Sequence, residues 1–387
     1  MSLDFARLEL ERLKEAGLYR KLRLVEGDQG PTLTLNGREV LNFCSNNYLG
    51  LANHPALREA AKAAIDRYGC GTGSSRLISG NMTLHEELEE KIAQLKGTEA
   101  ALIFNSGYHA NIGILPTLAG EGSVIFSDAL NHASIIDGCR LSRAEVVIYP
   151  HCDLDRLESE LKKAAGKTQK LIVTETLFSM DGDEAPLPEI VGLAERYGAT
   201  LIVDEAHATG AFGPTGAGIV AKLGLGKRVP IQMGTLGKAL GGFGAYVAGS
   251  RDLRDLLINR CRSVIYTTGL PPAVMAMGIA SIDLLYREPQ RRLALWHNIR
   301  ALREGLRSLG FSLADSQSQI QPLIVGVASK CMAFSERLLQ KDVFVQGIRP
   351  PTVPEGTSRL RITLMATHSH HHLERALRAF EEVRSQF

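Results

Sequence analysis

Between about residue 100 and residue 250, short apolar runs alternate with helical patterns, and this alternation restricts the fold more than any other feature of the chain. The strand candidates are 100–104, 123–127, 145–149, 170–175, 199–204, 230–234 and 244–249. Runs that are apolar throughout suit strands buried on both faces, and helical segments between most of them suit a sheet covered on both sides. The expected fold class is α/β, with a mainly parallel seven-stranded sheet between helices. Sheets of this kind bind ligands at the carboxyl ends of their strands. Asp204, Glu175 and the loop after Phe104 all fall at such ends.

After about residue 270 the pattern changes. A long helical stretch runs from Pro271 to near Leu309. Strand candidates follow at 320–327, 343–348 and 359–364, with a helix at 330–341 and a last helix over about 369–385. This reads as a smaller α+β lobe. Upstream, residues 1–16 read as a helix with Leu3, Leu10 and Leu13 on one side. Residues 32–43 suit a hairpin around the Asn36-Gly37 turn. Thr83-Leu84-His85-Glu86 has the form of a capping box, opening a helix that ends at Gly97. Three regions are expected: 1–45 as an N-terminal helix and hairpin, 46–270 as the large α/β domain, and 271–387 as the small C-terminal domain.

Composition excludes several classes of function. Apolar residues are 44% of the 387 and charged residues 22%, enough for an ordinary core. The net charge of +2, with no strongly basic block, calls for neither nucleic acid nor an anionic membrane. No apolar run approaches the length of about 18 residues that a membrane-spanning helix needs, and the first residues lack the apolar core of a signal peptide. The six cysteines are scattered without a CxxC pair, which suits reduced thiols in a cytoplasmic protein better than disulfides or zinc. The run at His368, His370, His371 and His372 is expected in a solvated first turn, with Ser369 near the N-cap, and no metal site is expected.

The chemistry gathers around Thr235-Leu236-Gly237-Lys238-Ala239-Leu240-Gly241-Gly242. Each glycine would cost a surface helix about 1 kcal/mol, so a solvated helical lysine explains this segment poorly. A lysine that forms a Schiff base needs a tight, desolvated pocket where its amine loses the proton. Upstream, LIVDEAHATG (201–210) ends an apolar run in Asp204, and His207 follows. An acid in that place is able to hold a pyridinium nitrogen, as pyridoxal phosphate (PLP) requires to act as an electron sink. Ser106-Gly107-Tyr108 lies between a strand and a helix, where free amides attract an anion such as phosphate. Each segment alone has a plain reading: Asp204 as a helix cap, His207 and His132 as core histidines, Ser179 as an ordinary serine, residues 106–108 as a simple turn. Lysine and acid together point to a PLP enzyme.

From about residue 17 to the C-terminus, nine ordered segments resemble the α-oxoamine synthases, PLP enzymes of fold-type I. They are NFCSNNYLGL, GTGSSRLISGN, FNSGYHAN, DALNHAS, TETLFSMDGD, LIVDEAHATG, TLGKALGG, YTTGLPP and IRPPTVPEGTSRLRITL. The resemblance implies that Lys238 holds PLP and moves the substrate's Cα proton. It implies that Asp204 pairs with the ring nitrogen, His207 with the phenolic oxygen, and that His132 stacks on the ring. Ser179, Thr235, Gly107 and Tyr108 would contact the cofactor, and Thr267 and Thr268 would reach the phosphate of the partner subunit in a homodimer with shared sites. Arg349 would hold the amino-acid carboxylate, while Arg20 and Thr352 would meet the acyl substrate. Asn47 stands where many members have Asp, in a polar role near the lysine. QPLIVG and IRPPTVP are most similar to the branch that condenses L-alanine with pimeloyl-CoA or pimeloyl-acyl carrier protein. The alternative is another acyl-CoA and amino acid, chiefly the glycine C-acetyltransferase reaction.

Overall fold

The computed structural model describes residues 3–384. Near the N-terminus lie strands β1 (Val25–Glu26), β2 (Thr32–Leu35) and β3 (Arg38–Asn42). Strands β2 and β3 form the expected hairpin, pairing Leu35 with Arg38. Asn36 and Gly37 turn with φ of 51° and 79°, the left-handed conformation that makes Asn-Gly the preferred pair.

The main sheet contains β4 (Ala100–Phe104), β5 (Ser123–Asp128), β6 (Glu145–Tyr149), β7 (Gln169–Glu175), β8 (Thr200–Asp204), β9 (Ile231–Thr235) and β10 (Ala245–Gly249). Their order is β4-β10-β9-β8-β7-β5-β6. The pairs β5–β6, β5–β7, β7–β8 and β8–β9 are parallel, and β10 runs antiparallel to both of its neighbours. The fold is thus α/β, a mostly parallel seven-stranded sheet between helices. Alternation along each strand feeds two apolar layers: Leu201 and Val203 point into one, Ile202 into the other. A strand such as β4, apolar and buried along its whole length, follows from that double burial.

The C-terminal part adds β11 (Ile320–Gly326), β12 (Val343–Phe344), β13 (Gln346–Ile348) and β14 (Ser358–Thr363). Strands β11, β14 and β13 form an antiparallel sheet, whereas β12 pairs in parallel with β3. The stretch expected as one strand over 343–348 is therefore two, serving different sheets.

Three other expectations change, and one, the first helix, holds. The helical stretch after Pro271 is two helices, Pro272–Arg287 and Gln290–Ser308, interrupted at Pro289, which has no N–H to continue the first. The helix Thr83–Lys96 is capped one residue earlier than expected. The Met82 N–H donates to His85 Nδ1 (3.2 Å), while Glu86 accepts from Asn81 instead. The helix Asp4–Glu15 buries none of its residues. His368 is buried rather than solvated. Its ring stacks on Phe43 with centroids 4.3 Å apart, its Nε2 lies 3.0 Å from the Asn42 carbonyl, and its Nδ1 accepts from the Met365 N–H. Ser369 does cap the last helix through the His372 N–H. Among the described residues no helix is long and apolar enough to cross a membrane.

Candidate active site

The carboxyl ends of β7, β8 and β9 open into a cavity of about 200 Å³. Asp204 and Glu175 are register partners at the ends of β8 and β7, so the fold places two carboxylates side by side. Lys238 enters from the loop after β9. That loop is drawn tight by the Gly242 N–H, which donates to the Leu236 carbonyl (2.9 Å), and by Gly241 at φ 65°. A Cβ on Gly241 would meet the Ala52 nitrogen at 2.5 Å, so only glycine fits there.

Lys238 Nζ lies 2.7 Å from His207 Nε2. His207 Nδ1 lies 2.7 Å from the Tyr48 hydroxyl, which donates to Asn46 Oδ1 at 3.0 Å. Because Tyr48 gives its proton to Asn46, the His207 ring donates from Nδ1 and accepts at Nε2 from the lysine. Desolvation lowers Lys238 to about 8, with Asp204 and Glu175 opposing and Arg361 reinforcing the shift. Burial, then the charge of Lys238, pushes His207 well below its ordinary range and keeps the ring neutral.

Asp204 is buried and fully engaged. Its Oδ1 accepts from the Ala206 N–H (2.8 Å) and its Oδ2 from Asn111 Nδ2 (3.0 Å). Glu175 contrasts with it: Oε1 is buried without a partner, and burial, then the charge of Asp204, raises this carboxyl to about 8. His132 begins the helix Ala133–Ser142 and accepts the Ser134 N–H at Nδ1 (3.2 Å), leaving Nε2 free for the cavity. Gly107 and Tyr108 form the first turn of the helix Gly107–Leu118, with Ser106 as N-cap. A Cβ on Gly107 would come within 3.0 Å of Met233 Cε on the cavity wall. Tyr108 donates to Asp137 at 2.6 Å. Thr235 lines the same cavity and gives its hydroxyl proton to the Gly244 carbonyl (2.9 Å).

A second cavity of about 770 Å³ adjoins the first, with His132 in the wall of both. Ser179 and Thr352 line it, together with Phe178, Met180 and Val353. The remaining sequence candidates lie apart from both cavities. Asn47 is buried and its Oδ1 accepts the Ala52 N–H (3.1 Å), while its Nδ2 has no partner. Arg349 is half-buried just after β13, and Arg20 is exposed. Thr267 accepts from Asn105 Nδ2 (3.0 Å), and Thr268 is exposed.

Sequence reasoning missed Arg361. It is buried on β14, donates from Nε to the Ser179 carbonyl (2.6 Å) and from both terminal nitrogens to Asn46 Oδ1, and its charge lowers both Lys238 and His207. The available signal was Arg359 and Arg361 two residues apart on one strand, which places them on one face. Asp128, His151 and Cys152 bring potential metal ligands within 4.8 Å of one another. Burial pushes His151 down, but hydrogen bonds to Asp128 and Asp183 outweigh it and hold the ring protonated, at about 12. Both ring nitrogens of His151 are engaged by carboxylates, Nδ1 by Asp128 at 2.9 Å and Nε2 by Asp183 at 2.7 Å, which makes the cluster an ion-pair group.

Residues 38–380 match the aminotransferase class I and II family. The chain is 55% identical over 379 residues to 8-amino-7-oxononanoate synthase of Geobacter sulfurreducens, covering 97% of this chain and 96% of that one. A serine palmitoyltransferase structure with PLP superposes with a TM-score of 0.94 at 33% identity, covering 100% of this chain and 99% of that one. The crystal structure of 8-amino-7-oxononanoate synthase from Francisella tularensis superposes with a TM-score of 0.78 at 29% identity, covering 90% and 98%. The chain belongs to the aminotransferase class I and II family and, within it, to the α-oxoamine synthases, beside the 8-amino-7-oxononanoate synthases.

Proposed function

We propose that the protein joins L-alanine to a pimeloyl thioester, of CoA or acyl carrier protein, to give 8-amino-7-oxononanoate, CO2 and the free thiol, with PLP as cofactor. The observation that carries this reading is a low-pKa amine, Lys238, sharing one small cavity with the fully engaged carboxylate of Asp204.

The residues present fit PLP. A partly neutral amine suits its carbonyl, and a fixed carboxylate suits a protonated ring nitrogen. The first turn at Gly107 and Tyr108 suits a phosphate. His132 and His207 would hold the ring, Thr235 and Ser179 its edges, and Thr267 and Thr268 the phosphate of the partner subunit in a homodimer. When bound, PLP supplies an electron sink for negative charge on the amino acid's α-carbon.

The chain's own residues do the remainder. The neutral amine of Lys238 takes the proton from Cα, and neutral His207 beside it adds no positive charge to oppose that transfer. The α-carbon then bonds to the thioester carbonyl carbon, the thiolate leaves, the original carboxyl carbon departs as CO2, and Lys238 returns a proton. Arg361, whose charge acts on Lys238, would hold the alanine carboxylate. Arg349 is its competitor for that role. The larger cavity, walled by Phe178, Met180 and Val353 with Thr352 at its edge, would take the acyl chain. Arg20 would meet that substrate nearer the surface. The proposed place of action is the cytoplasm, where six free cysteines stay reduced.

The test is a product assay in which alanine, glycine and serine are crossed against acetyl-CoA and pimeloyl-CoA. Alanine with pimeloyl-CoA is expected to turn over fastest and release CO2. Faster condensation of glycine with acetyl-CoA would overturn the reading in favour of glycine C-acetyltransferase.

A further inference from the structure

Besides the C-terminal segment 351–359, the larger cavity has walls from two loops of the large sheet. One leaves β5 and carries Leu130 and His132. The other leaves β7 and carries Phe178, Ser179 and Met180. Behind them, just after β6 and lining neither cavity, sits His151. Its Nδ1 lies 2.9 Å from Asp128 Oδ1 and its Nε2 lies 2.7 Å from Asp183 Oδ2. Its ring meets Phe178 edge-on, with centroids 4.4 Å apart.

Each anchor is fixed to its own loop. Asp128 is buried, and it accepts the Leu130 N–H through Oδ1 (2.8 Å) and the Cys152 N–H through Oδ2 (3.0 Å). Asp183 closes the other loop, where the Phe178 N–H donates to the Asp183 carbonyl (3.0 Å) and the Gly182 N–H to that of Phe178 (2.8 Å). A planar imidazolium with a donor at each end therefore spans the two loops. A neutral amide in its place reaches one carboxylate and leaves the buried one short of a donor.

We propose that His151 is a positioning residue: by bridging Asp128 and Asp183 it fixes the spacing of the two loops and so sets affinity and chain-length preference for the acyl group, not for the amino acid. The proposal rests on the reading of the larger cavity as the acyl site.

The experiment compares purified holoenzyme with His151→Gln, Asp183→Asn and the double variant, using pimeloyl-CoA and acyl-CoAs of shorter and longer chain. The apparent KM for pimeloyl-CoA is expected to rise roughly fivefold or more in each single variant, with the alanine KM and the PLP dissociation constant within about twofold of wild type. The double variant is expected to be no worse than either single one, because both remove the same bridge. The preference among chain lengths is expected to flatten. Equal rises in both KM values, or an unchanged acyl KM in a folded variant, would overturn the proposal. Should His151→Gln fail to fold, Asp183→Asn, at a side chain one-third exposed, carries the same prediction and the same refutation. A wild-type enzyme inactive with pimeloyl-CoA refutes the functional reading instead, and the same KM pattern on whichever acyl-CoA it accepts still decides the role of His151.

Discussion

The amine of Lys238 points at His207 Nε2 from 2.7 Å, and the ring it meets is the first member of a hydrogen-bonded series through Tyr48 and Asn46 to Arg361. The series has a chemical consequence. A nucleophilic amine must be unprotonated, and here desolvation and the Arg361 charge favour that form, while the uncharged ring of His207 accepts its hydrogen bond.

Lys238→Ala is expected to abolish covalent capture of the cofactor and to lower turnover by orders of magnitude. Borohydride treatment of the wild-type holoenzyme, followed by peptide mapping, should modify Lys238. Modification of a different lysine would sink the assignment.

Asp204→Asn is expected to keep the fold and to lose turnover steeply, each 1.4 kcal/mol of lost stabilisation being about tenfold in rate. The new amide NH2 would also face either the Ala206 N–H or Asn111 Nδ2, donor against donor, at a stability loss of about 1–3 kcal/mol. Kinetics and thermal melts of one preparation check both statements. Near-normal turnover would remove Asp204 from the chemistry.

Glu175 gives the apoprotein a defined pH dependence. Its carboxyl sits at about 8 when folded, against 4.5 ordinarily, so between those values the folded chain binds more protons than the unfolded chain. Stability from this group is complete below the lower value and is lost as pH rises through the upper one. Lys238, lowered from 10.5 to about 8, acts with the opposite slope, but only above about 8. Glu175→Gln should therefore gain on wild type in urea midpoint as pH rises from 5 to 8. A constant difference across that range would refute the assignment.

Arg361→Lys is expected to weaken L-alanine binding by about tenfold or more, because an ammonium cannot reproduce the paired donors of a guanidinium. Arg349→Lys is expected to change it by less than about threefold, since Arg361 is the arginine whose charge acts on Lys238. Spectral titration of each variant with L-alanine decides between them. The reverse ranking would return the carboxylate to Arg349.

Local signals carried much of this molecule. The seven strands of the large sheet were legible because each holds a short apolar run, and Asn36-Gly37, Gly97 and Ser369 marked their turns and caps through backbone preference alone. The strand order was not legible. No residue of β10 announces that it will slide between β4 and β9 in the opposite direction. His368 was misjudged because its partner, Phe43, is remote in sequence and its neighbours are solvated histidines. In the site, Lys238 stood out because its glycine-rich segment breaks the rules of an ordinary helix, and Asp204 and His207 gained meaning from it and from the resemblance. Glu175 was legible only by its place at a strand end, and Arg361 not at all, since each is an unexceptional strand residue until burial gives its charge a consequence. The break at Pro289 was written in the sequence, and periodicity on both sides obscured it.

The parallel pairing of β3 with β12, reinforced by the ion pair of Arg38 with Asp342 at 2.5 Å, bears on how the chain is made. During translation the β2–β3 hairpin leaves the ribosome early, yet the strand that covers its open edge is among the last segments to emerge. All seven strands of the large sheet lie between these two points in the sequence and are free to assemble first. A nascent chain therefore carries an unpaired, half-apolar edge through most of its synthesis, a state in which strands find wrong partners. Ribosome stalling shortly before residue 343 should consequently yield chains that aggregate through their first fifty residues while their large sheet is already formed.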